Sequence, residues 1–126
     1  MTPFERLIAW QHCHQLAILT YRVTTSFPKT ELYGITSQMR RAASSAAATI
    51  AEGSAKRGRR EFRRFLDMAV GSVSELAYFG LLARDLGLLR DEDWKEFEKL
   101  SNEAGKTTMG LCKAIGRTNG DYERSP

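Results

Sequence analysis

Residues 35–53 read ITSQMRRAASSAAATIAEG, and the spacing of their apolar positions decides the fold class. Ile35, Met39, Ala42, Ala46 and Ile50 recur at steps of three and four, the stripe of an amphipathic α-helix. The alternation that marks a half-buried strand is absent here and elsewhere in the chain. Alanine favours the helix intrinsically. The small side chains of residues 42–48 also let a neighbouring backbone come close. A second stripe, Gln38, Arg41, Ser45, Thr49 and Glu52, is polar. It reads equally as the lining of a groove or shared channel and as the wet side of the helix.

Working outward, three further helices follow from their start and stop signals. The first spans about 3–26: Thr2, Pro3 and Glu5 supply a cap, a proline at the first helical position and a capping-box glutamate. Phe27 and Pro28 close it. The second spans about 32–52, with Gly53 as its C-terminal cap. The third spans about 59–86 and ends at Gly87. The fourth starts at Asp91, where Asp91, Glu92 and Asp93 suit the positive end of the helix dipole, and fades near residue 117. Short connections imply antiparallel neighbours. The expectation is all-α: an antiparallel up-down-up-down four-helix bundle over residues 1–117, followed by a flexible tail over 118–126.

The core pattern fits. The third helix offers Phe62, Phe65, Leu66, Ala69, Val73, Leu76 and Ala83. The fourth offers Trp94, Phe97, Ala104, Leu111 and Ile115. The first is apolar on two sides, Cys13, Leu16 and Val23 against Leu7, Trp10, Ala17 and Tyr21. That is more than one bundle core needs, and it points to self-association.

The bulk numbers bound the function. The chain has 126 residues, 42% hydrophobic and 27% charged, which suits one domain. No basic-then-apolar leader opens it, and no stretch approaches the roughly 20 apolar residues of a membrane span. Cys13 and Cys112 lie far apart and read as reduced core residues. A bacterial cytoplasm is the expected location.

Net charge is +4, unevenly spread. Arg40, Arg41, Lys56, Arg57, Arg59, Arg60, Arg63 and Arg64 face only Glu52 and Glu61 within residues 40–64, so that block carries +6 and the rest −2. Such a block suggests an anionic partner, RNA or DNA first. Arg59 and Arg63, and Arg60 and Arg64, are four apart and form two adjacent ridges on the third helix. Cations at a helix N-terminus, and like charges at that spacing, are each unfavourable by about a few tenths of a kcal/mol. A rule broken at this position points to a functional surface, and the planar guanidinium suits phosphate. Two other readings stand beside it: a solvated basic face paired with the chain's own acids, as Arg63 with Asp67, and a dock for an acidic protein. A helix-turn-helix regulator fits less well, because the third helix is long for that motif. Phe62 and Phe65 sit among the arginines, but their spacing continues into the core stripe.

Catalytic and metal chemistry find no constellation. His12 and His14 are two apart and face different ways. Asp67 and Glu75 are too far apart for a carboxylate pair, and no ExxH motif marks a di-iron bundle. The stretch GSAKRG at 53–58 lacks the phosphate-loop pattern. No nucleophile-and-base grouping appears. The expectation is a non-enzymatic protein without cofactor or metal.

Several motifs carry a resemblance. Tyr33, Gly34, Ile35, Thr36, Ser37, Gln38, Met39, Arg40, Arg41, Ala42 and Ala43 are followed by Ile50, Ala51, Glu52 and Gly53. Then come Glu61 through Leu66, Gly71 and Ser72, Glu75 and Leu76, and residues 86–89. In this order, over about residues 4–115, they resemble the 23S rRNA-intervening sequence proteins. That resemblance implies an antiparallel four-helix bundle assembling into a ring, typically a homopentamer, with no established enzymatic activity. It also implies a related branch of basic accessory proteins of diversity-generating retroelements, which associate with nucleic acid and a reverse transcriptase. Where the family often has Ile-Pro-x-Asn before Ile-Ala-Glu-Gly, this chain has Ala46 to Thr49, which predicts a straighter second helix. Thr49 also lacks the amide donor of that asparagine, and Ala77 stands where an acid is common.

Overall fold

Alanine, leucine and charged residues with few interruptions give this chain four long helices. The computed structural model describes residues 1–117; the expected tail over 118–126 lies outside them. The helices are α1 (Ile8–Thr24), α2 (Ile35–Ser54), α3 (Arg59–Asp85) and α4 (Asp91–Arg117). Each packs on its neighbours in sequence, and α4 closes the circle against α1. Cross-helix pairs set the directions. Arg40 at the start of α2 bonds Thr24 at the end of α1. Ser45 meets Ser72 in α2 and α3. Cys112 at the end of α4 reaches Asp67 near the start of α3, and Cys13 in α1 meets Thr108 in α4. All four adjacent pairs are antiparallel, the up-down-up-down bundle expected.

One core runs through the bundle. Leu16, Leu19, Met39, Ile50, Leu66, Leu76 and Phe97 are each at most 2% exposed. The small-residue segment of α2 works by close approach, with Ala42, Ala43, Ala46 and Ala47 buried. No proline interrupts α2, which runs unbroken.

Element ends differ from expectation in three places. The first helix does not run from Pro3. Thr2 donates through its backbone N–H and its hydroxyl to Glu5 Oε1, both at 2.7 Å, which closes Pro3–Arg6 into a separate 3₁₀ turn. Leu7 is extended, with ψ 123°, and the side-chain amide of Gln11 holds the Glu5 carbonyl at 2.8 Å. α2 begins at Ile35 instead of residue 32, because the bonds from Glu31 N–H to the Pro28 carbonyl and from Leu32 N–H to the Lys29 carbonyl form a tight turn first. Gly53 is not a cap. It lies inside α2, and a Cβ there would stand 2.6 Å from Phe65 Cβ; its job is to let α2 and α3 touch. The reversal falls instead on Gly58, with φ +84°, which precedes Arg59.

Gly87 ends α3 as expected. Its φ is +77°, its N–H bonds the Arg84 carbonyl, and the Leu88 N–H bonds the Ala83 carbonyl, the paired bonds of a Schellman motif.

α3 also corrects the membrane reading. By length and composition alone it is long and apolar enough to cross a membrane, and a third of its most apolar stretch is buried in the bundle. Leu66, Ala69, Val73, Leu76, Gly80 and Ala83 of that stretch face the core.

Candidate nucleic-acid interface

The α2–α3 joint gathers five cations on one end of the bundle. Ser54 ends α2, and Gly58 turns the chain straight into α3. Lys56, Arg57, Arg59, Arg60 and Arg64 are exposed around that turn. Lys56 Nζ lies 4.0 Å from Glu52 and 5.3 Å over the Phe65 ring. Arg64 Nε donates to Glu61 Oε1 at 3.0 Å, and its guanidinium lies 4.8 Å from the centre of the same ring. Phe65 is thus a core residue, as its spacing predicts, whose ring also seats two cations. Such contacts order a cation without neutralising it.

Glu61 reports the local field. The Arg64 hydrogen bond holds its carboxyl below the ordinary carboxylate value, and the charges of Arg64, Lys56 and Arg60 push the same way. The Arg64 guanidinium is raised in return by that bond. Glu61 is the sole acid in the first turn of α3.

The eight predicted cations do not form one patch. Arg63 is half-buried and turns toward α4, beside the Cys112 thiol that donates to Asp67 Oδ1 at 3.1 Å. The inward Arg63 breaks the ridge it was expected to form with Arg59. Arg40 and Arg41 lie at the other end of α2. Arg41 stands 3.9 Å from Glu75, eleven residues beyond Arg64 on α3 and so about 16 Å away along the bundle. The length of α2 sets that separation: Arg41 stands about 20 Å of helix rise before Ser54.

The polar stripe of α2 resolves as a seam. Arg41 bonds Gln38 and approaches Glu75, Ser45 Oγ lies 3.3 Å from Ser72 Oγ, and Glu52 approaches Lys56. The Arg41–Glu75 and Ser45–Ser72 contacts join α2 to α3, while the other two run along α2 and its exit. His12 and His14 diverge as expected: His12 Nδ1 is 3.1 Å from Thr107 Oγ1, and His14 stacks on Trp10 at 4.7 Å. Cys13 and Cys112 are buried and unbridged. Among the described residues, no group of three or more His, Cys, Asp or Glu side chains is placed to hold a metal.

Sequence reasoning missed two features. One is Gly80, whose Cα lies against the Phe97 ring; it falls on the core stripe of α3 between Leu76 and Ala83, where the exposed Gly71 does not, but its need to be glycine comes from the ring opposite. The other is a cleft at the start of α2 around Thr36 and Arg40.

Comparison with known proteins agrees with this architecture. No curated protein matches the sequence. A crystal structure of a protein of unknown function from the S23 ribosomal protein family of Bacteroides thetaiotaomicron superposes with a TM-score of 0.75, covering 84% of this chain and 99% of that one at 18% identity, which is a likeness of fold. Residues 5–110 match the profile of the 23S rRNA-intervening sequence proteins. That span reaches into every helix and takes in both ends of the α2–α3 seam, and the chain belongs to the 23S rRNA-intervening sequence protein family.

Proposed function

We propose that this protein is a non-enzymatic homo-oligomer, a pentamer by family resemblance, that binds RNA or DNA through phosphate contacts at the α2–α3 joint and reads little sequence. One observation carries the reading. Lys56, Arg57, Arg59, Arg60 and Arg64 stand exposed at the N-terminal end of α3, where the helix dipole already disfavours cations. An anion relieves that conflict, and a phosphate backbone offers many anions at fixed spacing. Arg40, Arg41 and Arg63 belong to the basic block by sequence but stand outside this face.

The oligomer is supported by an unburied apolar face. Ile18 is 54% exposed and Tyr21 46%, and with His14, Ala17 and Ala47 they line an open groove between α1 and α2. A ring would repeat the basic joint around its circumference and multiply a weak contact.

The test is a fluorescence-anisotropy titration with a generic RNA hairpin at two salt concentrations. If the joint makes five phosphate contacts, affinity falls by about two to three orders of magnitude between low and moderate salt. Affinity indifferent to salt overturns the reading. So does a partner that stays bound after nuclease treatment, which would assign the joint to an acidic protein.

A further inference from the structure

At the end of the bundle away from the joint, the first turn of α2 opens into a cleft of about 440 Å³ lined by Tyr21, Tyr33, Thr36, Ser37, Arg40 and Arg41 among others. A second hollow of about 230 Å³ shares Thr36 and Arg40 and adds Lys29, Thr24 and Thr25. Three cations and four aliphatic hydroxyls line the two hollows around a helix N-terminus.

Thr36 is the telling residue. It is 3% exposed, and its hydroxyl is buried without a hydrogen-bond partner. Three other helix threonines donate to the carbonyl four residues back: Thr20 to Leu16, Thr24 to Thr20 and Thr107 to Glu103. Thr36 makes no such bond. The residue four back, Leu32, belongs to the tight turn that precedes α2. A buried hydroxyl left unpaired costs folding free energy, and Thr36 lines both hollows, so a ligand seated there would give it a partner.

The surroundings specify an anion. Gly34 caps α2 with no side-chain bond to the helix amides, so the first turn presents unsatisfied N–H groups and the positive end of a 20-residue dipole. Arg40 is half-buried and held on two sides: its Nε donates to Thr24 Oγ1 at 2.9 Å, and its guanidinium lies 4.9 Å over the Tyr21 ring. Being fixed in advance, its Nη groups can meet an oxyanion with little loss of rotamer freedom. Tyr33, 93% exposed at the rim, offers an aromatic face. The Glu31 carboxylate lies beside Gly34 but lines neither hollow.

We propose that this cleft binds a phosphomonoester of a nucleotide. The phosphate would meet the α2 amides, the Arg40 Nη groups and, after a χ1 turn, the Thr36 hydroxyl; the base would stack on Tyr33. Two sources share this chemistry: a free mononucleotide and the 5′-phosphate end of an oligonucleotide. The site lies far from the α2–α3 joint and does not depend on it.

Amide NMR shifts during titration of the full chain test it. Adenosine 5′-monophosphate and inorganic phosphate at millimolar concentration are expected to shift the amides of residues 34–37, with the nucleotide binding more tightly; adenosine is expected to leave them unmoved. Arg40→Gln weakens the nucleotide by about tenfold or more, the size of one charge-assisted hydrogen bond. Thr36→Val also weakens it while raising the melting temperature, a pairing that misfolding cannot mimic. Glu31→Gln strengthens it. A response to 5′-phosphorylated but not 5′-hydroxyl oligonucleotide assigns the chain end; a response to mononucleotide alone assigns the free ligand. No shift at residues 34–37, an equal response to adenosine, or unchanged affinity in both Arg40→Gln and Thr36→Val overturns the proposal, as does a response confined to the amides of Arg59, Arg60 and Arg64.

Discussion

Gly80 in α3 packs against the Phe97 ring in α4: a Cβ at Gly80 would lie 2.1 Å from Phe97 Cε1 and under 3 Å from two more ring atoms. Phe97 is fully buried, so the ring has nowhere to move. Gly80→Ala therefore gains about 1 kcal/mol of helix propensity but overpacks the core by about 1–3 kcal/mol or more. The expected net is a loss of stability, read as a lower midpoint in thermal or urea unfolding. An unchanged or higher midpoint would mean that α3 and α4 are further apart than described.

Gly71, nine residues earlier on the same helix, is the contrasting case. Nothing lies within 4 Å of a Cβ placed there, and its φ is not positive. Gly71→Ala is expected to stabilise by about 0.5–1 kcal/mol, through helix propensity and a less flexible unfolded chain. The same unfolding measurement checks it, and the opposite signs of the two variants make a joint test of the α3 register.

That pair also shows how far the sequence could be read. Period and caps located four helices, because burial of a 3.6-residue stripe leaves its mark in composition. Gly87 was legible as a helix end because its role is local, a positive φ followed by two short-range bonds. Gly80 sits on the core stripe between Leu76 and Ala83, so its burial was legible; that Gly53 and Gly80 must be glycine was not, since their role is the close approach of another helix, which no local signal encodes. The site shows the same division. The cations at the joint were visible as a charge run. That Arg63 turns inward depends on how α4 packs on α3, whereas the distance of Arg40 and Arg41 from the joint follows from the rise of α2 between them.

The buried thiols predict alkaline sensitivity. Burial, the largest cause, pushes both Cys13 and Cys112 above the ordinary thiol value of 9.0; the bond to Asp67 raises Cys112 further. Below that value both folded and unfolded chains keep the protons, and the thiols give stability no pH dependence. Above it the unfolded chain ionises first and binds fewer protons than the folded one, so stability falls as pH rises. Urea midpoints between neutral pH and pH about 10 should decline, and Cys13→Ala should flatten the decline while lowering the neutral-pH midpoint. Iodoacetamide should label the native thiols slowly and the denatured ones fast; equal rates would contradict their burial.

Neutralising the joint separates function from stability. Replacing Arg59, Arg60 and Arg64 together with glutamine removes cations from the positive end of α3 and like charges from one face. Stability should hold or rise by about a few tenths of a kcal/mol per site. Loss of the Arg64–Glu61 pair offsets little of that gain, because both partners are exposed. RNA affinity should drop, and its salt slope should shrink by about one unit for each phosphate no longer neutralised. Arg41→Gln, at the far end of the seam, should leave that slope unchanged. Equal effects from both variants would mean that net charge, not the joint, governs binding.

The apolar groove on α1 and α2 makes the assembly testable in one residue. Ile18 is more than half exposed, yet it stands between Tyr21 and His14 on a helix whose opposite side is already filled by Cys13, Leu16 and Val23. An exposed isoleucine alone is ordinary; one seated in a continuous apolar groove is what an interface core looks like before its partner arrives. Light scattering of the purified chain should therefore give a multiple of 14.2 kDa. Ile18→Asp should collapse it to the monomer, since a charge buried without a partner costs several kcal/mol at each copy of the interface. The far-UV spectrum should stay helical, because Ile18 contributes little to the fold's own core. A wild-type mass of one chain would overturn the oligomer, and an Ile18→Asp variant that keeps the full assembly would move its interface to another face.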